Sequence, residues 1–309
     1  MRKKVTIVGA GNVGATAAQR LFDKGLADIV LVDIVEGLPQ GKALDMLESG
    51  PVIRTDSKVV GTNGYEETSD SDIIVVTSGL PRKPGMSREE LLNSNAAIVK
   101  AKVEQAAQAS PNAVLVIFSN PMDAMCHVAI QASGFPRERV IGQGGALDSA
   151  RYRYFVSEAV GVSPKDVHGY VIGGHTDTTM VPVVSQTLVG GIPLKSLLTS
   201  GKIDEVVSRT MRGGAEIGEL MKVGSAFYAP SAGTIAMVES ILLDQNRLMP
   251  CSVLHQGEYG INDVCSGTVV QLGEGGIQKV FEMSLDPSEQ ERVTAAAVAT
   301  QDLLDQLTI

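Results

Sequence analysis

The segment "KKVTIVGAGNVG" at residues 3–14 restricts this chain more than any other stretch. A short apolar run, Val5 to Val8, gives way at once to glycines at 9, 11 and 14, and a helix-like segment follows. An apolar run without polar alternation is a strand buried on both faces, as in a parallel sheet covered by helices. The pattern then repeats. Strand-like stretches at 28–34, 57–62, 72–78 and 112–119 alternate with helix-like stretches at 12–25, near 40–48 and at 88–109. Such alternation builds βαβ units with right-handed crossovers.

"GAGNVG" is a G-x-G-x-x-G placed after a strand and before a helix. Gly9 suits the tight turn, Gly11 lets backbone approach a pyrophosphate, and Gly14 lets helix and strand pack closely. Ala10, Asn12 and Val13 complete the loop, and the helix N-terminus offers N–H groups to phosphates. Asp33, 19 residues beyond Gly14, closes the second strand. A carboxylate there accepts from ribose hydroxyls and repels a 2′-phosphate, so NAD is the expected cofactor. The motif alone also suits a methyltransferase. The first half is therefore read as α/β, a Rossmann-type doubly wound parallel sheet.

The second half reads as mixed α+β. Helices are expected at 148–160, 204–223 and 231–244, a strand at 166–174, and shorter strands near 250–255 and 267–272. A closing helix spans 286–307, with Asp286 as N-cap, Pro287 first in the helix and Glu289 completing a capping box. A chain of 309 residues exceeds what one core usually supports. The glycine-rich "GQGGALD" places the boundary, giving a dinucleotide-binding domain at 1–145 and a substrate domain at 146–309.

A net charge of −9 and a pI near 5.0 argue against nucleic-acid binding, which needs a basic face. No apolar run approaches the roughly 18 residues of a membrane span. Three widely spaced cysteines give no disulfide framework or metal-ligand spacing, which points to a reducing cytoplasm and no metal. An acidic protein that binds an anion must gather positive charge locally. "PRKPGMSREE" at 81–90 does so, with Arg82, Lys83 and Arg88 just before or at a helix start. Ser87 and Glu90 form a capping box, so Arg88 is the first helical residue. A cation there opposes the helix dipole at a cost of roughly 0.3–1 kcal/mol. A solvated basic loop is the plain reading. The position beyond the carboxyl end of a parallel strand favours an anion site, and arginine suits carboxylates.

"VIGGHTDTTMVP" puts His175 on a loop beside small residues, a reasonable general acid/base or a turn residue satisfied by backbone. "GALDSARYR" puts Asp148 and Arg151 on one helix face, as a salt bridge or as part of a site. Spacing alone does not pair Asp148 with His175. His127, His168 and His255 fall in a helix, a strand and a strand end, where structural roles are expected.

"GAGNVG", "LVDIVEGLPQGKALDM", "VVTSGLPRKPGMSREELL", "SNPMDAM", "GALDSARYR", "IGGHTDTTMVP" and "GSAFYAP" occur in order along the chain. Together they resemble the lactate/malate dehydrogenase superfamily, most of all the bacterial malate dehydrogenases of lactate-dehydrogenase-like type. The resemblance implies NAD-dependent interconversion of (S)-malate and oxaloacetate, with lactate or another 2-hydroxyacid as the alternative substrate. It implies that His175 is the proton donor and acceptor and Asp148 its partner. It gives Arg151 the C1 carboxylate, Arg88 the reacting carbonyl, and Arg82 the choice of substrate. Asn120 would touch substrate and nicotinamide ribose, and Ser119 and Asn95 the cofactor. A homotetramer or homodimer is implied too. Thr176 departs from the glycine usual after the catalytic histidine in this subgroup, which bears on substrate geometry. An NAD-dependent glycosidase would need a metal site, and a short-chain reductase a Tyr-x-x-x-Lys that does not occur. A non-catalytic NAD sensor would leave the histidine and arginines unexplained.

Overall fold

A computed structural model describes residues 2–80 and 86–308. In the first half, β1 (Lys4–Val8), α1 (Asn12–Lys24), β2 (Asp28–Val32), α2 (Leu38–Ile53), β3 (Val59–Thr62), β4 (Ile73–Val76), α3 (Arg88–Ala109), β5 (Val114–Ile117), α4 (Met122–Ser133) and β6 (Val140–Gly142) follow in sequence. The strands pair in the order β3-β2-β1-β4-β5-β6, every pair parallel. The order reverses at β1 and β4, so the crevice beyond their carboxyl ends is where a ligand of such a sheet binds. β4 and β5 are buried at every position, as strands covered on both faces must be. One face packs α1 and α2 together with a helix of the second half, and the other packs α3 and α4.

The second half supplies α5 (Gly144–Val160), β7 (Val167–His168), β8 (Val171–Gly173), β9 (Met180–Pro182), β10 (Leu188–Val189), β11 (Ile192–Pro193), α6 (Leu194–Leu197), α7 (Ser200–Met221), α8 (Tyr228–Leu242), β12 (Arg247–Gln256), β13 (Asn262–Gly273), β14 (Gly276–Phe281) and α9 (Pro287–Leu304). β12 pairs antiparallel with β6 at Ser252 and Gly142, and the large sheet continues through β13, β8 and β9. No helix among the described residues is long and apolar enough to cross a membrane.

Several elements differ from the sequence expectation. The single strand at 166–174 is two: β7 lies in a small sheet with β10 and β11, β8 in the large one. Gly169 divides them, in a spot where a Cβ would meet Tyr152 and Thr187 at 2.9–3.1 Å. The strands near 250–255 and 267–272 extend to ten and twelve residues because they pair with each other along their length, despite Pro250 and Gly267. α5 starts at Gly144, four residues early. A Cβ at Gly144 would fall 2.9 Å from the His175 side chain, and one at Gly145 2.9 Å from Pro250. These glycines serve close packing, so they do not break the helix.

Candidate active site

The glycine loop is built by contact. Gly9 has φ +113°, where an added Cβ would fall 2.5 Å from Thr77 Oγ1, and a Cβ on Gly14 would fall 1.8 Å from the Gly9 carbonyl oxygen. Both close α1 onto β1. An added Cβ on Gly11 would meet nothing within 4 Å, so the space above the loop is open. α1 has no side-chain cap and no acidic residue in its first turn, which leaves that N-terminus suited to an anion.

The Ala10 peptide is held from both sides. Its N–H donates to Asp33 Oδ2 at 2.7 Å, and its carbonyl accepts from Lys42 Nζ at 2.7 Å. Val35 N–H donates to the other Asp33 oxygen at 3.0 Å. Each carboxylate oxygen keeps a lone pair, and the residue stays partly exposed. An open glycine loop, a bare helix N-terminus and an available carboxylate fit a dinucleotide without a 2′-phosphate. Lys42 escaped the sequence reading because no spacing rule ties a helix lysine to a carbonyl 32 residues away.

Beyond β4 and β5, Asn95 is buried and ties two loops together. Its Oδ1 accepts from Leu80 N–H at 2.7 Å, and its Nδ2 donates to the carbonyls of Leu80 at 3.2 Å and Asn120 at 2.7 Å. That amide has both hydrogens engaged with backbone. The buried Ser119 hydroxyl donates to the Ser78 carbonyl, and Asn120 is exposed. Ser87 caps α3 in a capping box with Glu90, and Arg88 is the exposed first residue of that helix. Arg82, with Lys83, lies outside the described residues.

A histidine–carboxylate–arginine cluster joins elements distant in sequence. His175, between β8 and β9, lies with Nδ1 2.6 Å from Asp148 Oδ2 on α5. Arg151, one turn on, donates to Asp148 Oδ1 at 3.2 Å. The intrahelical salt bridge and the histidine partnership therefore coexist on one buried carboxylate. Asp148 accepts from Nδ1–H and so leaves Nε2 to exchange protons. Burial lowers the pKa of His175, but the charge and hydrogen bond of Asp148, with the charge of Asp123, more than offset it. The net shift is upward from the usual 6.5 despite opposition from Arg151. Arg151 crosses α7 at Gly213, where a Cβ would fall 2.1 Å from Arg151 Cδ. Thr176 is not among the residues with positive φ, so a β-branched residue stands there without strain. Its hydroxyl bonds Thr179 Oγ1 at 2.6 Å, within the exposed turn.

Residues 3–142 match the NAD binding domain of lactate/malate dehydrogenase, and residues 145–307 match the family's alpha/beta C-terminal domain. The chain belongs to the lactate/malate dehydrogenase family. NAD is its cofactor, in keeping with the open glycine loop and Asp33. Among curated relatives, a malate dehydrogenase of Thermomicrobium roseum is 52% identical over 99% of both chains. One of Chloroherpeton thalassium is 53% identical over 95% of each. Of solved structures, the malate dehydrogenase from Salinibacter ruber superposes with a TM-score of 0.94 at 44% identity, over 98% of this chain and 97% of that one. A lactate dehydrogenase from Cryptosporidium parvum, complexed with lactic acid and NAD, gives 0.95 at 37% identity, over 99% and 98%.

Proposed function

We infer that this family member is a malate dehydrogenase, interconverting (S)-malate and oxaloacetate. The observation that carries the chemistry is the buried Asp148 shared by His175 and Arg151. The substrate follows from the malate dehydrogenase relatives at about half identity over nearly the whole chain. NADH oxidation with oxaloacetate, pyruvate and 2-oxoglutarate side by side tests it. Faster turnover of pyruvate would select the lactate dehydrogenase alternative.

Bound NAD supplies or accepts the hydride. Residues 1–145 hold the cofactor and residues 146–309 bring the acid/base group. His175 Nε2 delivers a proton to the C2 oxygen in the reductive direction and removes it in reverse. Asp148 holds the imidazole in one tautomer and stabilises the imidazolium. The Arg151 guanidinium binds the C1 carboxylate through its planar fork. Arg88 offsets charge developing on the C2 oxygen. Arg82 faces the second carboxylate, and Asn120 contacts substrate and ribose. Asn95 and Ser119 act on the cofactor through the loops they fasten. The assembly is a homodimer or homotetramer, and the compartment is the cytoplasm, a reading supported by three buried free cysteines.

Two substitutions probe the binding groups. Asp33→Ser is expected to reduce the preference for NADH over NADPH by about tenfold, because a like charge facing the 2′-phosphate is removed. The ratio of kcat/KM for the two cofactors measures it, and an unchanged ratio removes Asp33 from cofactor choice. Gly213→Ala is expected to raise KM for oxaloacetate by about tenfold, the effect of displacing a guanidinium from one charge-assisted contact. NADH affinity should be unchanged. Alanine is favoured over glycine in a helix interior by roughly 0.5–1 kcal/mol, so the defect should appear without loss of helix stability. An unaltered KM would show that the Arg151 stem can yield at no cost.

A further inference from the structure

Asp123, in the first turn of α4, is a buried carboxylate for which the reading above has no catalytic use. Its Oδ2 accepts the backbone N–H of His175 at 2.8 Å, and its Oδ1 accepts the Ser252 hydroxyl at 2.6 Å. Ser252 is the residue of β12 that pairs with Gly142, where the parallel and antiparallel parts of the sheet join. Asp123 therefore ties the Asn120 loop, the sheet junction and the histidine loop at one point.

We propose that Asp123 is a second carboxylate serving the acid/base group, a positioning residue that anchors the main chain of His175 and sets a second acidic side chain beside its imidazole. The inference rests on the assignment of His175 as proton donor and acceptor. Burial pushes the Asp123 carboxyl pKa up, and the net shift is upward; the Ser252 hydroxyl, the His175 N–H and the His175 charge act against it, while the Asp148 charge adds to it. Both oxygens accept from donors, and the positive end of the α4 dipole lies beside them, which favours the carboxylate. Besides His175, the titratable groups beside it are Asp148 on α5, a like charge, and the thiols of Cys126 and Cys265, held neutral by burial. Around His175 the charged groups are Asp148 and Arg151 on α5 and Asp123 on α4. With Asp148 divided between His175 and Arg151, a second anion adds to the field that favours the imidazolium.

Asp123→Asn preserves an acceptor for the His175 N–H and removes the charge. The pH limb at which oxaloacetate reduction fails is expected to move down by about one unit, a roughly tenfold loss of rate above the limb. Turnover well below the limb and NADH binding by fluorescence should be retained, which a purely structural defect would not leave intact. Asp123→Ser, a smaller uncharged replacement with an acceptor, should give the same displacement, and it carries the test if the asparagine variant does not fold. A limb unmoved in a folded, NADH-binding variant overturns the proposal. His175→Asn separates the two readings. If it is inactive while the Asp123 variants keep the original limb, only the role of Asp123 fails. If it is fully active, the acid/base assignment fails first.

Discussion

His175→Asn is expected to lower oxaloacetate reduction by roughly two to four orders of magnitude, the usual contribution of a positioned general acid. NADH affinity should be unchanged, because the glycine loop runs between β1 and α1 and Asp33 follows β2, away from the loop between β8 and β9. Asparagine can still donate an amide hydrogen to Asp148, so the buried carboxylate keeps a partner. It does not titrate, so proton delivery is what is lost. The main-chain bond to Asp123 involves only the backbone N–H of residue 175 and survives. With His175 as the proposed acid/base, its raised pKa is expected to set the direction of the pH profiles of the unsubstituted protein. Reduction needs the imidazolium, so its rate is full at low pH and falls as pH rises through that raised value. Malate oxidation needs the neutral ring and rises through the same value. Steady-state rates in both directions, with NADH binding by fluorescence, check this. Undiminished turnover in His175→Asn removes the residue as the acid/base.

Much of the first half was legible because its determinants are local. A doubly covered strand needs a continuous apolar run, and β1, β2, β4 and β5 have one. The capping boxes at Ser87 and Asp286 involve groups three residues apart and were read correctly. The site itself is less local. Asp148 and His175 are 27 residues apart, and only the fold brings them to 2.6 Å. Asp123 was passed over because its partners are a backbone N–H 52 residues on and a hydroxyl 129 residues on. Neither leaves a spacing signal, since one partner is main chain and the other an unremarkable serine within a strand. Asn95 is similar: its partners are main-chain groups of Leu80 and Asn120, 15 and 25 residues away, which leave no spacing signal. The helix expected at 148–160 starts four residues earlier because Gly144 and Gly145 pack closely inside α5.

Arg82→Gln is expected to reverse the order of substrates. Oxaloacetate differs from pyruvate by a second carboxylate, and a guanidinium is the group that meets a carboxylate with two parallel hydrogen bonds. Glutamine offers a neutral amide, so the dianion loses a charge-assisted pair while keeping Arg151 for its first carboxylate. Truncating one partner of such a pair costs about 2–5 kcal/mol, which predicts a fall in kcat/KM for oxaloacetate of roughly thirtyfold to several thousandfold. For pyruvate the effect has the opposite sign. An arginine that reads a second carboxylate gains no counter-charge from the methyl group of pyruvate, so its replacement should raise kcat/KM. The substitution leaves the Asp148–His175 pair intact, so the pH limbs of the two reactions should not move. Paired kcat/KM values for oxaloacetate and pyruvate, across pH, decide the matter. An unchanged ratio would place the choice of substrate elsewhere, with Arg88 and the turn at Thr176 the next residues to vary. A loss for both substrates alike would mean that Arg82 supports the site as a whole and does not read the second carboxylate.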